Sequence, residues 1–346
     1  MRAVLYLEPG KLSYQEVDAP TVGTGELLVR VKAALTCGTD VKTFQRGHHL
    51  MKPPMPFGHE FAGEVSLVGE GVSGFVEGMR VVAANSAPCN YCFYCRRGKH
   101  NLCENIVFNW GAFAEYIKVP APIVEQNVYR IPEGLSYEEA ALLEPLACVV
   151  LGSEAAGVSS GDSVAIAGGG GPIGLMHLQL AINSGAEQVI VIDVRDSRLE
   201  VARSLGAATV INAAREDPVT MVKELTAGRG ADIVIETAGV PEVWRMALAM
   251  VRKGGTVVMF GGCPAGTQIP LDTDRVHYEE LTIKGVFHHS PRTVERALEL
   301  LGRGVIKAGS LISGWLPLKD VQKALEMMMR GEAIKMAIIP HTEDIE

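Results

Sequence analysis

From Gly152 to His289 the chain alternates between two textures, and no other feature restricts its fold so tightly. DSVAIAGGGGPIGLMHLQLAINSG reads as a strand, a glycine-rich turn and a helix, EQVIVIDV as a strand and RDSRLEVARSLGA as a helix. ATVINA, REDPVTMVKELTAGRG and ADIVIETAG continue the alternation, followed by PEVWRMALAMVRKGG, TVVMFGG and ELTIKGVFHH. Strands separated by helices of these lengths form βαβ units, and consecutive units build a parallel sheet. Helices then cover both faces, so the strands are apolar throughout instead of alternating with polar positions. The expected class is α/β, with a doubly wound parallel sheet over residues 152–289.

A chain of 346 residues is longer than one hydrophobic core usually serves, so a second domain is expected. Its material lies on both sides of the alternating run. LLVRVKAAL (27–35), GEVSLVG (63–69) and MRVVAAN (79–85) are strand-like, with turn residues between them, and no long amphipathic helix is read before about Ser136. After Ser290 come two helical patterns, PRTVERALELLGRG and LKDVQKALEMMMRG, and a strand, KMAIIP. The parallel sheet is already complete by then, so this tail is expected to return to the first domain. The expected division is 1–151 with 290–346 against 152–289.

Bulk properties exclude some function classes. A net charge of −8 argues against a nucleic-acid partner, which needs a basic face. No apolar run reaches the roughly eighteen residues of a membrane span, and AALLEPLACVVLG is interrupted by Glu144. The opening MRAVLYLEPGKLSY lacks the apolar core and cleavage site of a signal peptide, so a cytoplasmic location is expected.

APCNYCFYCRRGKHNLC (87–103) holds four of the seven cysteines, in the spacing Cys-x2-Cys-x2-Cys-x7-Cys. In a reducing compartment such a cluster points to a metal rather than to disulfides. Cys89, Cys92, Cys95 and Cys103 supply the four thiolates of a tetrahedral zinc site in a lobe of about residues 86–105. Four unrelated small hydrophobes are the alternative. With four thiolates the site is closed to water and substrate, so this zinc is structural and any chemistry lies elsewhere.

Gly169, Gly171 and Gly174 form G-x-G-x-x-G around Pro172 and Ile173, between the strand VAIA and the following helix. The first glycine permits the tight turn, the second lets backbone approach a pyrophosphate, and the third lets helix and strand pack closely. The helix N-terminus offers free N–H groups to the phosphates. Asp193 follows nineteen residues later at the end of VIVID, where an acidic side chain takes the ribose hydroxyls of NAD and repels a 2′-phosphate. Arg195 and Arg198 come next; they read as solvated helix-face charges, with Arg198 kept as a cofactor-site candidate.

Cys37 in TCGTD, His59 in FGHE and Glu144 in LLEPLA are each unremarkable alone: a buried thiol, a core histidine, a carboxylate near a helix. Together, Cys37-Gly38-Thr39-Asp40, then Gly58-His59-Glu60 after a proline-rich turn, then the cysteine loop, EPLA and the glycine turn resemble the zinc-dependent medium-chain dehydrogenases. This is the alcohol, sorbitol and threonine dehydrogenase group, and the likeness runs the length of the chain.

The resemblance implies a β-rich GroES-like catalytic domain beside a Rossmann nucleotide-binding domain. It implies two zinc ions per chain, one structural and one catalytic. Cys37 and His59 would hold the catalytic zinc with Glu144 as third ligand, and Glu60 could enter the coordination sphere; the order of Glu60 and Glu144 stays open. Thr39 would start the proton relay. Many members carry a histidine three residues on, where this chain has Lys42, so Lys42, a water, His48 or His49 takes that place. His288 and His289 could line the substrate cleft, Trp110 reads as a core aromatic or a cleft wall, and Cys148 and Cys263 as buried fillers. The implied reaction is NAD-linked oxidation of a secondary alcohol, a polyol, sugar alcohol or cyclitol, to a ketone by a homodimer or homotetramer. Threonine or a simple alcohol is the alternative substrate, Arg46, Lys52 and Arg292 leave room for a phosphorylated polyol, and a non-catalytic dinucleotide-binding protein is the alternative class.

Overall fold

Leu27–Leu35 is nine residues, seven of them aliphatic and buried, with only Arg30 and Lys32 partly exposed, which marks a central strand. In the computed structural model, which describes residues 1–341, it is the middle of a seven-stranded sheet. The sheet runs Val128–Arg130, Arg80–Ala83, Glu60–Val68, Leu27–Leu35, Lys335–Ile339, Ile312–Pro317, with Tyr116–Val119 also pairing to the central strand. Both direct neighbours of the central strand are antiparallel to it. Its C-terminal end is therefore flanked by the beginnings of Glu60–Val68 and Lys335–Ile339. Phe57, Phe61, Phe113, Val29, Val31 and Ile338 pack in the core of this unit. The unit comprises Met1–Ala147, His289–Gly304 and Leu311–Glu346, and the KMAIIP strand indeed returns to it.

The other unit comprises Cys148–His288 and Val305–Ser310. Its six parallel strands lie in the order Thr209–Asn212, Gln188–Asp193, Ser163–Ala167, Ala231–Glu236, Val251–Met259, Thr282–Gly285. The order reverses between Ser163–Ala167 and Ala231–Glu236, the switch point where doubly wound sheets bind ligands at their C-terminal edge. Ala165, Ile190, Ile192, Val234 and Val257 build its core. Among the described residues no helix is long and apolar enough to cross a membrane.

No long helix precedes Ser136, as expected, but two short ones interrupt the strands: Gly38–Arg46 and Ala121–Asn127. The first is capped by the Cys37 thiol, which accepts from Thr39 N, while the Asp40 carboxylate accepts from Cys37 N. A thiol lies outside the usual Ser, Thr, Asp and Asn caps, so the start signal was not legible. ELTIKGVFHH contracts to a four-residue strand, Thr282–Gly285, at the sheet edge.

Candidate active site

Cys37 leaves the C-terminal end of the central strand, and Glu60 opens the neighbouring strand directly opposite Leu35. Gly58, just before, has φ 86°, and a Cβ there would meet the Phe113 ring at 2.7 Å, so only glycine turns the chain at this point. The turn delivers His59 and Glu60 beside Cys37, with one ligand atom from each within 4.8 Å of the others. His59 is 3% exposed and Glu60 fully buried.

Asp40, which sequence reasoning passed over, organises this cluster. Its Oδ1 lies 3.1 Å from His59 Nδ1, and its Oδ2 accepts from Cys37 N at 2.9 Å. A carboxylate only accepts, so Nδ1 carries a proton, and Nε2 is the ring nitrogen left for a second proton or a metal. Burial opposes a charged imidazole, yet the Asp40 carboxylate overrides it and holds His59 well above its ordinary range. The ring also meets Trp110 edge-on at 5.6 Å, and Trp110 stacks on Phe108 at 5.4 Å. Trp110 is half-buried against the core and touches the site histidine.

Glu144 enters from the helix Leu143–Ala156 and is 6% exposed. Burial, with Glu60 nearby, pushes its carboxyl up to about 7 against the pull of His59. One Glu144 oxygen lies 3.9 Å from His289 Nε2, which is 3.1 Å from Asn85 Oδ1. His289 is therefore a buried, bonded residue of this neighbourhood, while His288 is half-buried with φ 62°. Thr39 and Lys42 lie three residues apart on the helix that Cys37 caps, both half-buried. His48 is half-buried beside His49, ring to ring at 4.6 Å.

The donor set tests whether a metal suits this place. The carboxyls of Asp40, Glu60 and Glu144 interact here with the buried His59 ring and with the buried ammonium of Lys335. Glu60 Oε2 is buried and stands 2.6 Å from the Lys335 ammonium. Sulfur, imidazole nitrogen and carboxylate oxygen together suit zinc.

Cys89, Cys92, Cys95 and Cys103 form a second cluster within the same 4.8 Å limit, all of them unbridged thiols. Cys89 N and Asn105 N donate to Cys103 Sγ at 3.2 and 3.3 Å, the kind of backbone support a thiolate takes. Burial pushes Cys95 up to about 12, with the Cys92 and Cys103 thiols adding to it. A divalent ion removes that penalty by taking the proton's place. Cys148 and Cys263 are half-exposed, not the buried fillers expected.

In the other unit Gly169–Gly174 turns from the strand Ser163–Ala167 into the helix Pro172–Asn183. A Cβ on Gly174 would lie 2.4 Å from Gly169 Cα, so first and third glycines touch backbone to backbone. A Cβ on Gly171 would meet nothing closer than 3.6 Å, and Gly171 caps the helix with no side chain, which leaves a cradle before the first N–H groups. Pro172 and Ile173 form the first helical turn. Asp193, 8% exposed, accepts from Gly170 N at 3.1 Å, Val194 N at 2.8 Å and Arg195 N at 3.1 Å. Arg198 is not a solvated charge: it is half-buried, its Nε is buried without a hydrogen-bond partner, and its Cβ lies 2.7 Å from where a Cβ on Gly170 would stand. Its signal was helical spacing from Arg195, which does not reveal packing across the turn.

Residues 23–133 match the alcohol dehydrogenase GroES-like domain, and residues 172–303 the zinc-binding dehydrogenase family. A sorbitol dehydrogenase of Bacillus subtilis (strain 168) is 32% identical over 99% of this chain and 98% of its own. An L-threonine 3-dehydrogenase of Bacillus licheniformis is 36% identical over 96% of both chains. A Sinorhizobium meliloti 1021 chain, described as a zinc-binding dehydrogenase and solved bound to NADP, superposes with a TM-score of 0.90 at 32% identity, over 98% of this chain and 99% of that one. The chain belongs to the zinc-dependent medium-chain dehydrogenases and is an oxidoreductase acting on alcohol groups.

Proposed function

We propose that this enzyme oxidises a secondary alcohol of a polyol, sugar alcohol or cyclitol to the ketone, with NAD as acceptor. The observation that carries this reading is the Cys37–His59–Glu60 cluster, with the buried Glu144 carboxyl near enough to feel the His59 and Glu60 charges, in a chain that also holds the glycine turn. Residues 1–151 with 290–346 are the catalytic part and 152–289 the nucleotide-binding part. Cys37, His59 and one of Glu144 and Glu60 would hold one zinc, and Cys89, Cys92, Cys95 and Cys103 a structural one.

Bound at the first site, zinc supplies Lewis acidity toward the alcohol oxygen, and bound NAD supplies the hydride acceptor. The chain's own residues do the rest. Asp40 fixes the His59 tautomer, so that Nε2 is a ready ligand. The Thr39 hydroxyl takes the proton that the alcohol gives up, and Lys42, one turn along the same face, passes it on. Trp110 gives the C–H face of a polyol an apolar wall beside His59. The N-terminus at Gly171 receives the pyrophosphate, and Asp193 the adenosine ribose, with Arg198 beside it. The strand Thr282–Gly285, exposed along its length at the sheet edge, is where two or four copies of this cytoplasmic enzyme would join.

A second reading, threonine as substrate, draws on the B. licheniformis relative. One screen separates them. Reduction of NAD and of NADP is followed with sorbitol, xylitol, galactitol, inositols, a phosphorylated polyol, threonine, butanediol and ethanol. NAD-linked turnover on a polyol or cyclitol supports the reading. Turnover on threonine alone, or with NADP alone, refutes it.

A further inference from the structure

Glu236 ends the strand Ala231–Glu236 beside the switch point and is fully buried. Carboxylates are almost never buried unless paired, and this one is held by N–H groups. Its Oε1 accepts from Ala238 N and from Gly239 N, both at 2.8 Å. Its own carbonyl accepts from Phe260 N and Gly261 N, both at 3.0 Å. One residue therefore grips two loops, 237–240 after its own strand and 260–263 after Val251–Met259. Burial pushes its carboxyl up, against the pull of the Gly239 and Ala238 N–H groups. The unit thus carries a buried charge to fix backbone, at the sheet edge where doubly wound folds take their ligands.

The loops meet backbone to backbone. A Cβ on Gly261 would stand 2.3 Å from Gly239 N and 2.7 Å from Glu236 Oε2, and one on Gly239 would stand 2.5 Å from Gly262 O. The first loop also locks onto the glycine turn. Thr237 Oγ1 donates to Ala167 O and to Gly168 O, at 3.0 Å each, and a Cβ on Gly168 would meet Ala238 Cβ at 2.9 Å. Asp193 lies on the far side of Ser163–Ala167 from Glu236. With the adenosine half at Asp193 and the pyrophosphate at Gly171, the nicotinamide half crosses the switch point toward these loops.

We propose that Glu236 is a positioning residue for the nicotinamide half of the cofactor, holding the two loops at the spacing on which that half lies. This rests on the reading that places the adenosine half at Asp193.

The test compares the dissociation constants of NADH and of ADP, which has no nicotinamide half, by titration calorimetry. Wild type, Glu236→Ala, Glu236→Gln and Asp193→Ala are measured. Glu236→Ala should weaken NADH about tenfold, the low end of what a lost hydrogen bond to a charged group costs, and leave ADP unchanged. Glu236→Gln, whose amide oxygen can accept from the same two N–H groups, should recover most of the loss. Equal weakening of NADH and ADP by Glu236→Ala would make the carboxylate a support of the whole fold and overturn the proposal. So would unchanged NADH binding. If Glu236→Ala does not fold, Gly261→Ala carries the same comparison by forcing the two loops apart. Asp193→Ala should weaken both ligands together. If it weakens neither, the placement of the adenosine half has failed, a separate result that takes the proposal down with it.

Discussion

Acid should weaken the nucleotide-fold unit through one residue, His177. It sits inside the helix Pro172–Asn183 with no exposed surface, its Nδ1 is 3.1 Å from Ser153 Oγ and its ring is edge-on to Phe260 at 5.0 Å. Nε2 has no hydrogen-bond partner, and burial pushes the pKa from 6.5 down to about 3. In the unfolded chain the ring takes a proton near pH 6.5; in the folded chain it takes one only near pH 3. Between those values the unfolded state binds more protons, so stability is intact above pH 6.5 and falls as the pH falls. At pH 5 the loss is about 2 kcal/mol, from roughly 1.5 pH units at about 1.36 kcal/mol each. For a unit of this size that is roughly 4–8 °C in Tm. The assay is calorimetric or urea unfolding of wild type and His177→Leu at pH 7.5 and 5. The leucine variant starts from its own baseline, but the gap between the two proteins should move in its favour by about 2 kcal/mol on acidification. An unchanged gap at the two pH values would refute the buried, neutral histidine.

Three further outcomes are expected. Asp40→Asn keeps the shape beside His59 but removes the charge, and metal affinity at the Cys37 site should fall about tenfold to a hundredfold by chelator competition; unaltered affinity would remove Asp40 from the site's support. Gly174→Ala places a Cβ 2.4 Å from Gly169 Cα. It should cost about 3 kcal/mol or more in unfolding free energy and abolish dinucleotide retention; a stable, cofactor-binding variant would show that the turn can open. Cys95→Ser should lose the loop metal and lower the melting temperature with dinucleotide binding intact, and unchanged metal content would contradict the four-thiolate cluster.

The parallel sheet was legible because each strand, turn and helix announces itself locally, in runs such as VAIA, GGGGPIG and LMHLQLA. The cysteine loop was legible because its ligands are close in sequence. What was hidden depends on contacts between distant segments. Lys335 reaches Glu60 across 275 positions, and His289 reaches Asn85 across 204. Neither spacing carries any periodicity. Asp40 stood inside the quoted motif, yet its role needs the His59 ring to arrive over it. Arg198 read as a surface charge because helical spacing does not show what the preceding glycine turn packs against it. Cys148 and Cys263 failed differently: small apolar residue types suggest burial, but their surroundings leave them half-exposed.

The central claim is that Cys37 and His59 anchor a catalytic metal distinct from that of the cysteine loop. Zinc per chain, measured by atomic emission on wild type and on Cys37→Ala alongside dinucleotide binding, tests it most directly. The account predicts two zinc ions in wild type, one per cluster, and one in the variant, with dinucleotide binding retained and turnover lost. A variant that keeps both ions, or keeps turning over alcohol, would contradict it.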